Sequence, residues 1–86
     1  MTYKITIKKI ASKELERIPL KVNRLIVKDI WALADNPRPT GCKKLKGKNN
    51  HLWRIRIGDY RVLYSIDDSI QIIDIQLVGH RKDIYT

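Results

Sequence analysis

The fold of this chain is decided by residues 53–64, Trp53-Arg54-Ile55-Arg56-Ile57-Gly58-Asp59-Tyr60-Arg61-Val62-Leu63-Tyr64. Basic and apolar residues alternate from Arg54 to Ile57, which is the period of a β-strand with one buried face. A two-residue turn that places glycine first, as Gly58-Asp59 does, is typical of a type II′ hairpin. The stretch therefore predicts a β-hairpin whose turn sets the register of both strands.

In that register Arg56 lies directly opposite Arg61, and the hairpin has two chemically different faces. The apolar face carries Trp53, Ile55, Ile57, Tyr60, Val62 and Tyr64, and the other, which we call the arginine face, carries Arg54, Arg56 and Arg61. Like charges directly across two strands destabilise a sheet, by up to about 1 kcal/mol. An anion bound between the two arginines would explain the pair. The alternative is that the basic side chains are only the solvated face of an edge hairpin.

The composition supports an anionic partner. At 86 residues, 43% of them hydrophobic, the chain is expected to form one small folded domain over residues 1–86. Its formal net charge is +9, and the window 38–61 holds eight basic residues against the single acidic Asp59. So uneven a distribution indicates binding to nucleic acid, to an acidic protein segment or to a membrane surface.

Cysteine and histidine usage argues against several other classes of protein. The single Cys42 excludes an intramolecular disulfide and fits a reducing cytosol. No stretch is apolar enough to span a membrane or to act as a secretion signal, so we expect a cytoplasmic protein that does not contact the membrane. The two histidines and the cysteine are not at metal-ligand spacing, and we expect neither a metal nor a cofactor.

The remaining helices and strands are predicted from the spacing of apolar residues and from helix- and strand-breaking residues. Alternation over residues 2–8 predicts a first strand, and Ser12 is a plausible N-cap for a short helix that ends before Pro19. A second helix, with an apolar stripe, runs from Leu20 to Asn36-Pro37. Residues 36–52 are expected to form a loop. The order β-α-α-β-β-β indicates an α+β fold, with a small, mainly antiparallel sheet and a helical hairpin packed on its apolar face.

The last strand is expected at residues 70–78, with Ile73, Ile75 and Leu77 as its core set. Because side chains alternate along a strand, Asp74 and Gln76 would then lie on the arginine face. We expect one of them beside Arg61. It also leaves Leu63, Ile72 and Val78 on that face, where we expect them to be uncovered.

Three pieces of the chain together resemble the RelE/ParE superfamily of bacterial toxins. They are Leu45-Lys46-Gly47, the run from Trp53 to Arg61, and Val78-Gly79-His80-Arg81-Lys82-Asp83-Ile84-Tyr85. The resemblance covers nearly the whole chain and implies a toxin of a type II toxin–antitoxin pair, with a RelE-like sheet backed by two helices. RelE-type members are endoribonucleases that cut mRNA in the ribosomal A site. ParE-type members inhibit DNA gyrase and lack the nuclease residues.

Carried over residue by residue, the RelE-type active surface falls on Arg54, Arg56, Arg61, Arg81 and Tyr85. Their presence favours a metal-independent mRNA interferase, in which a 2′-hydroxyl attacks the adjacent phosphate. Lysine is common at the first two positions and both are arginine here. Because arginine does not lose its proton near neutral pH, it would position and stabilise the phosphate and not act as a base.

The resemblance also implies roles for other residues and a set of partners. Arg81 would stabilise the phosphate, and Tyr85 would stack on a nucleotide. His80 is a candidate for RNA binding and for proton transfer. Contact with ribosomal RNA is assigned to the lysines of the loop, Lys43, Lys44, Lys46 and Lys48. The expected partners are a cognate antitoxin, the ribosome with its mRNA, and operator DNA reached through the antitoxin. The alternatives are a ParE-like, non-enzymatic gyrase inhibitor and a basic RNA-binding module without catalysis.

Overall fold

A computed structural model describes residues 2–80, which form an α+β fold of two helices on one five-stranded sheet. The order within these residues is β1 (Lys4–Ile7), α1 (Lys9–Arg17), α2 (Leu20–Ala32), β2 (Lys43–Lys44), β3 (Leu52–Ile57), β4 (Tyr60–Asp67) and β5 (Ile72–His80), with a short 3₁₀ turn at Gly47–Asn49 between β2 and β3. The predicted fold class is confirmed. Neither described helix is long and apolar enough to cross a membrane.

The sheet has the strand order β1-β5-β4-β3-β2. β1 runs parallel to β5 and the other neighbours are antiparallel, so the sheet is mainly antiparallel, as predicted. The loop expected at residues 36–52 is partly wrong, because Lys43 and Lys44 pair with Arg54 and Trp53 as the edge strand β2. A pair of lysines carries little strand propensity of its own, so this strand depends on pairing with β3.

The hairpin of β3 and β4 has the predicted register, from Trp53↔Tyr64 to Ile57↔Tyr60, and Arg56 lies opposite Arg61. Gly58 has a φ of 59°, and Asp59 is not among the described residues with positive φ. Positive φ at the first turn position alone is the signature of a type II′ turn. The turn chemistry therefore determines which side chains share each face.

Replacing Gly58 by alanine is expected to lower the free energy of unfolding by about 1 to 2 kcal/mol, because a Cβ is disfavoured at positive φ. Urea denaturation of the two proteins measures the difference. Asp59→Ala, at the neighbouring exposed turn position, is the control and should change stability by less than about 0.5 kcal/mol. Equal effects of the two substitutions would contradict the type II′ assignment.

The helices cover the apolar face of the sheet and bury one continuous core. Pro19 separates α1 from α2, as predicted, whereas α1 begins at Lys9 and not at Ser12, whose backbone N–H bonds the carbonyl of Lys8. The buried cluster joins helix residues to residues of β3, β4 and β5: Ala11, Leu15, Ile18, Ile26, Ile30, Leu33, Ile55, Ile57, Val62, Tyr64, Ile73, Ile75 and Val78.

A β-bulge in β5 changes which of its residues face the core. Leu63 pairs with Leu77 but Tyr64 pairs with Ile75, so Gln76 is an extra residue in β5 and the alternation reverses there. The predicted core set was therefore wrong at Leu77, which is half-buried, and Val78 enters the core instead.

The expectation of uncovered apolar residues on the arginine face was also wrong. Leu63 is 2% exposed, Ile72 is half-buried, and Val78 lies in the core on the other face. Arg54 lies directly opposite Leu63 and is itself half-buried, so its aliphatic stem covers apolar surface beside it. This part of the arginine face is already packed.

The loop that follows α2 is held against the far end of the sheet. The Tyr64 hydroxyl donates to the Pro37 carbonyl at 2.8 Å, and the Arg38 guanidinium lies 5.0 Å from the ring centroid of Trp53. Arg38 also pairs with Asp68 at 2.9 Å, and Asp68 accepts a hydrogen bond from the Tyr3 hydroxyl at 2.6 Å. β1, the β4–β5 turn and the loop after α2 therefore share one anchor.

The anchor predicts a pH dependence of stability that centres on Asp68. Hydrogen bonds from Arg38 and Tyr3 hold the pKa of its carboxyl below the ordinary value. A depressed folded-state pKa contributes stability above the unfolded pKa, about 3.9, and that contribution is lost as the pH falls through the folded pKa. The melting temperature of Asp68→Asn should therefore fall below that of the native chain at pH 7 and approach it near pH 3. A constant difference at both pH values would contradict this.

Candidate functional site

The arginine face has the geometry of an anion-binding surface. Arg56 on β3 lies directly opposite Arg61 on β4, and Arg54 lies on the same face two residues before Arg56. The pairing of β2 places Lys43 directly opposite Arg54, so a fourth cation joins the face. Arg54 and Arg61 are half-buried, whereas Arg56 is exposed. Side chains held by partial burial are positioned before a ligand arrives.

Within residues 2–80, Arg54 and Arg56 form no ion pair, and the Nε of Arg54 is a buried donor without a hydrogen-bond acceptor. An unsatisfied buried donor costs about 1 to 3 kcal/mol. Within residues 2–80 no carboxylate neutralises the charges of Arg54 and Arg56, which is the arrangement expected of a site for an external anion.

The expected placement of Asp74 or Gln76 beside Arg61 was wrong. Asp74 lies opposite Ser65, four positions along β4 from Arg61. Its carboxylate accepts from the Thr6 hydroxyl at 2.8 Å and from the Gln76 amide at 2.9 Å, and it pairs with Lys8 at 3.2 Å. The bulge at Gln76 places Gly79 opposite Arg61 instead. A glycine, which carries no carboxylate, therefore lies opposite Arg61.

The lysines assigned to RNA contact divide between the two faces. Lys43 lies on the arginine face, whereas Lys44 pairs with Trp53 on the apolar face, with its Nζ 5.8 Å from the indole centroid. Lys46 and Lys48 are exposed at the 3₁₀ turn. Of these four lysines, only Lys43 thus lies on the same face as the arginines. This position was not predicted, because residues 36–52 were expected to form a loop.

His80 does not join the arginines. It lies opposite Tyr60, on the apolar face, and the two rings meet edge to face with centroids 5.6 Å apart. A proton-transfer role for His80 on the arginine face has no geometric support. Arg81 and Tyr85, the remaining two residues of the expected active surface, lie outside the described residues.

No group of three His, Cys, Asp or Glu side chains within residues 2–80 lies close enough together to hold a metal ion. The chemical capacity of the described face is therefore electrostatic. It can bind a phosphate, hold it in place by forked guanidinium groups, and stabilise added negative charge.

Comparison with known proteins identifies the family of this chain. The family model described as "ParE toxin of type II toxin-antitoxin system, parDE" matches residues 5–85. The chain belongs to this toxin family. A curated relative, Toxin RelE of Mycobacterium tuberculosis (strain ATCC 25618 / H37Rv), is 33% identical over 96% of this chain and 86% of its own length. The predicted RelE/ParE superfamily is confirmed.

Solved structures of toxin–antitoxin complexes share the fold of this toxin. The archaeal RelE–RelB complex from Pyrococcus horikoshii OT3 contains a chain that is 32% identical, with a TM-score of 0.83 over 96% of this chain and 99% of that one. The RelBE2 complex from Mycobacterium tuberculosis contains one that is 27% identical, with a TM-score of 0.84 over 94% and 100%. The family model is named for ParE and these relatives are named for RelE, so the names alone do not distinguish between the two activities.

Proposed function

We propose that this toxin is a ribosome-dependent endoribonuclease that cuts mRNA in the ribosomal A site and so inhibits translation. The observation that carries the proposal is the opposed pair Arg56 and Arg61, extended by Arg54 and Lys43 on one face. Four cations with a buried, unsatisfied donor among them suit a phosphodiester better than they suit a solvated surface.

The reaction divides between the RNA and the protein. The 2′-hydroxyl oxygen of one nucleotide attacks the adjacent phosphorus, and the bond from phosphorus to the 5′-oxygen of the next nucleotide breaks. The products are a 2′,3′-cyclic phosphate and a 5′-hydroxyl, so the proton lost by the 2′-oxygen is matched by one gained at the leaving oxygen. Arg56 and Arg61 hold the phosphate and stabilise the charge that develops on its oxygens.

The three arginines of the face supply charge and position, and not a base. Guanidinium groups remain protonated at working pH, and His80 lies on the other face of the sheet. The ribosome would hold the mRNA so that the 2′-oxygen, the phosphorus and the leaving oxygen are in line, which is itself a large part of the rate enhancement. Arg81 and Tyr85 are proposed to complete the site.

We further propose that a cognate antitoxin neutralises the toxin, since the related structures from Pyrococcus horikoshii and Mycobacterium tuberculosis are toxin–antitoxin complexes. The net charge of +9 and the arginine face favour an acidic antitoxin segment as the contact. Through that antitoxin the pair would assemble on operator DNA. The toxin would act in the cytoplasm, where ribosomes are found.

The second candidate function, inhibition of DNA gyrase, is favoured by the name of the matching family model. One experiment separates the two. The purified toxin is added to a cell-free translation system and mRNA 5′ ends are mapped, while a parallel sample is tested for inhibition of DNA supercoiling. New 5′ ends within translated codons support the nuclease. Arrested supercoiling with intact mRNA supports the gyrase inhibitor, and RNA binding with neither effect supports a binding module.

A further inference from the structure

A cavity of about 520 Å³ lies beside the arginine face, at the edge of the sheet. Its walls are the end of α2 and the turn after it (Asp29, Ala32, Asn36), the loop at 39–41, Lys43 of β2, and residues 54–56 of β3. Two residues of the arginine face, Arg54 and Arg56, thus also line the cavity, which we call the edge pocket. Nothing in the proposed reaction uses it.

The edge pocket exists because β2 is short. β2 pairs only with Trp53 and Arg54, so the described residues place no strand beside the outer edge of β3 beyond Arg54. Ile57 and Tyr60 flank the two-residue turn and exchange hydrogen bonds, and backbone groups alternate along a strand. The N–H and C=O of Arg56 therefore point away from β4, toward the pocket.

The chemistry of the walls suits a nucleobase. A volume of about 520 Å³ falls within the range of small-molecule sites, roughly 300 to 1,000 Å³, and such sites combine apolar walls with a few polar groups. Ala32, Leu33 and Ile55 supply apolar surface for a ring. Asp29 and Asn36 supply side-chain hydrogen-bonding groups at the end of α2.

The charges in the pocket orient such a ligand. Arg54, Arg56 and Lys43 attract a phosphate to one side, whereas the Asp29 carboxylate repels it from the other. A carboxylate accepts hydrogen bonds from a base amino group, as it does from cytosine N4. Uracil has no amino group: its one donor on that edge, the N3–H, lies between two carbonyl oxygens, which a carboxylate repels.

We propose that the edge pocket binds the base of the nucleotide whose phosphate lies on Arg54 and Arg56, and that Asp29 selects bases that carry an amino group. The inference rests on the proposed nuclease function and adds a specificity determinant to it. Cleavage would then disfavour uridine at the position that occupies the pocket.

The test is an NMR titration of the isotope-labelled toxin with the four ribonucleoside 3′-monophosphates. Amide signals of residues 29–41 and 54–56 should shift. Adenosine, cytidine and guanosine 3′-monophosphates should bind about tenfold more tightly than uridine 3′-monophosphate, which is the effect of one hydrogen bond to a charged group. Shifts confined to the arginine face, or equal affinities for all four nucleotides, would overturn the proposal.

Two variants assign the selectivity to the pocket. Asp29→Asn should bring the four affinities to within about twofold, whereas Asp35→Asn should leave the preference intact. Asp35 is the matched control because it is exposed just after the same helix and does not line the pocket. Ala32→Trp, at an exposed position on the wall, should fill the pocket and abolish the base-dependent part of binding. Equal effects of Asp29→Asn and Asp35→Asn would contradict the assignment.

The outcomes separate this inference from the proposed function. The titration requires neither ribosome nor cleavage, so a negative titration with normal mRNA cleavage overturns the pocket alone. Base-selective binding without any mRNA cleavage overturns the nuclease alone. If an acidic peptide shifts the pocket signals and the nucleotides do not, the open edge of β3 is a protein-binding edge and the proposal is wrong.

Discussion

Arg61→Ala is expected to lower the rate of mRNA cleavage about 100- to 1,000-fold, the loss typical when one group that stabilises a developing oxyanion is removed. The reason is the position of Arg61 directly opposite Arg56, where the two guanidinium groups would share one phosphate. The rate is measured by quantifying new mRNA 5′ ends over time in the cell-free translation system. Arg81→Ala is expected to have a similar effect, because the resemblance to RelE-type toxins assigns Arg81 to the same phosphate.

Two companion variants distinguish a specific role from a general loss of charge. Arg61→Lys retains the charge but loses the planar fork, so its rate should fall between those of the native toxin and Arg61→Ala. Arg24→Ala removes one positive charge from the exposed side of α2 and should leave cleavage nearly unchanged. Circular dichroism and melting curves verify that each variant is folded. Full cleavage by both Arg61→Ala and Arg81→Ala would refute the nuclease assignment.

Tyr64→Ala is expected to produce the largest loss of stability, about 3 to 5 kcal/mol, as for other buried aromatic residues. Tyr64 is fully buried, with 0% of its surface exposed, and lies between the helices and the sheet. For so small a domain this is a large fraction of a total of about 5 to 15 kcal/mol. Urea denaturation measures the change, and little of the variant should remain folded at 37 °C.

Tyr64→Phe separates the ring from the hydroxyl. Burial, with an added effect of the Cys42 side chain, raises the pKa of the Tyr64 hydroxyl well above its usual value, so the group remains a donor to the Pro37 carbonyl at 2.8 Å. Removing only that hydrogen bond should cost about 1 kcal/mol. If Tyr64→Phe proves as destabilising as Tyr64→Ala, the anchoring of the loop after α2, and not core packing, is the main role of the residue.

Much of the fold could be predicted because its information is local. The alternation around Gly58-Asp59 and the breaker Pro19 each act over a few residues, and they placed the hairpin, its register and the division between the helices. The same local reasoning failed at Ser12, because the N-cap residue is Lys8, four residues earlier. Capping preference is worth about 1 kcal/mol and is readily overridden by packing.

The two core errors on the last strand have one cause. A bulge inserts Gln76 against the pairing of Leu63 and Tyr64, and it moves every later residue of β5 to the opposite face. No residue in 70–80 marks that position in the sequence. The placements expected for Leu77 and Val78 were wrong for this reason. Asp74 precedes the bulge and lies on the arginine face as predicted, but its pairing with Ser65 keeps it away from Arg61.

The sequence by itself determined the hairpin, the α+β class and the concentration of positive charge on one face, because strand alternation and turn geometry act between near neighbours. Only the tertiary structure decided that Lys43 lies on the arginine face, that His80 lies on the apolar face, and that a pocket lies beside β3. Each of these depends on how strands distant in the chain pair, or on how long an edge strand continues. Residues 53–64 by themselves thus determine the arginine face, whereas the pairing of the other strands determines which residues lie beside it.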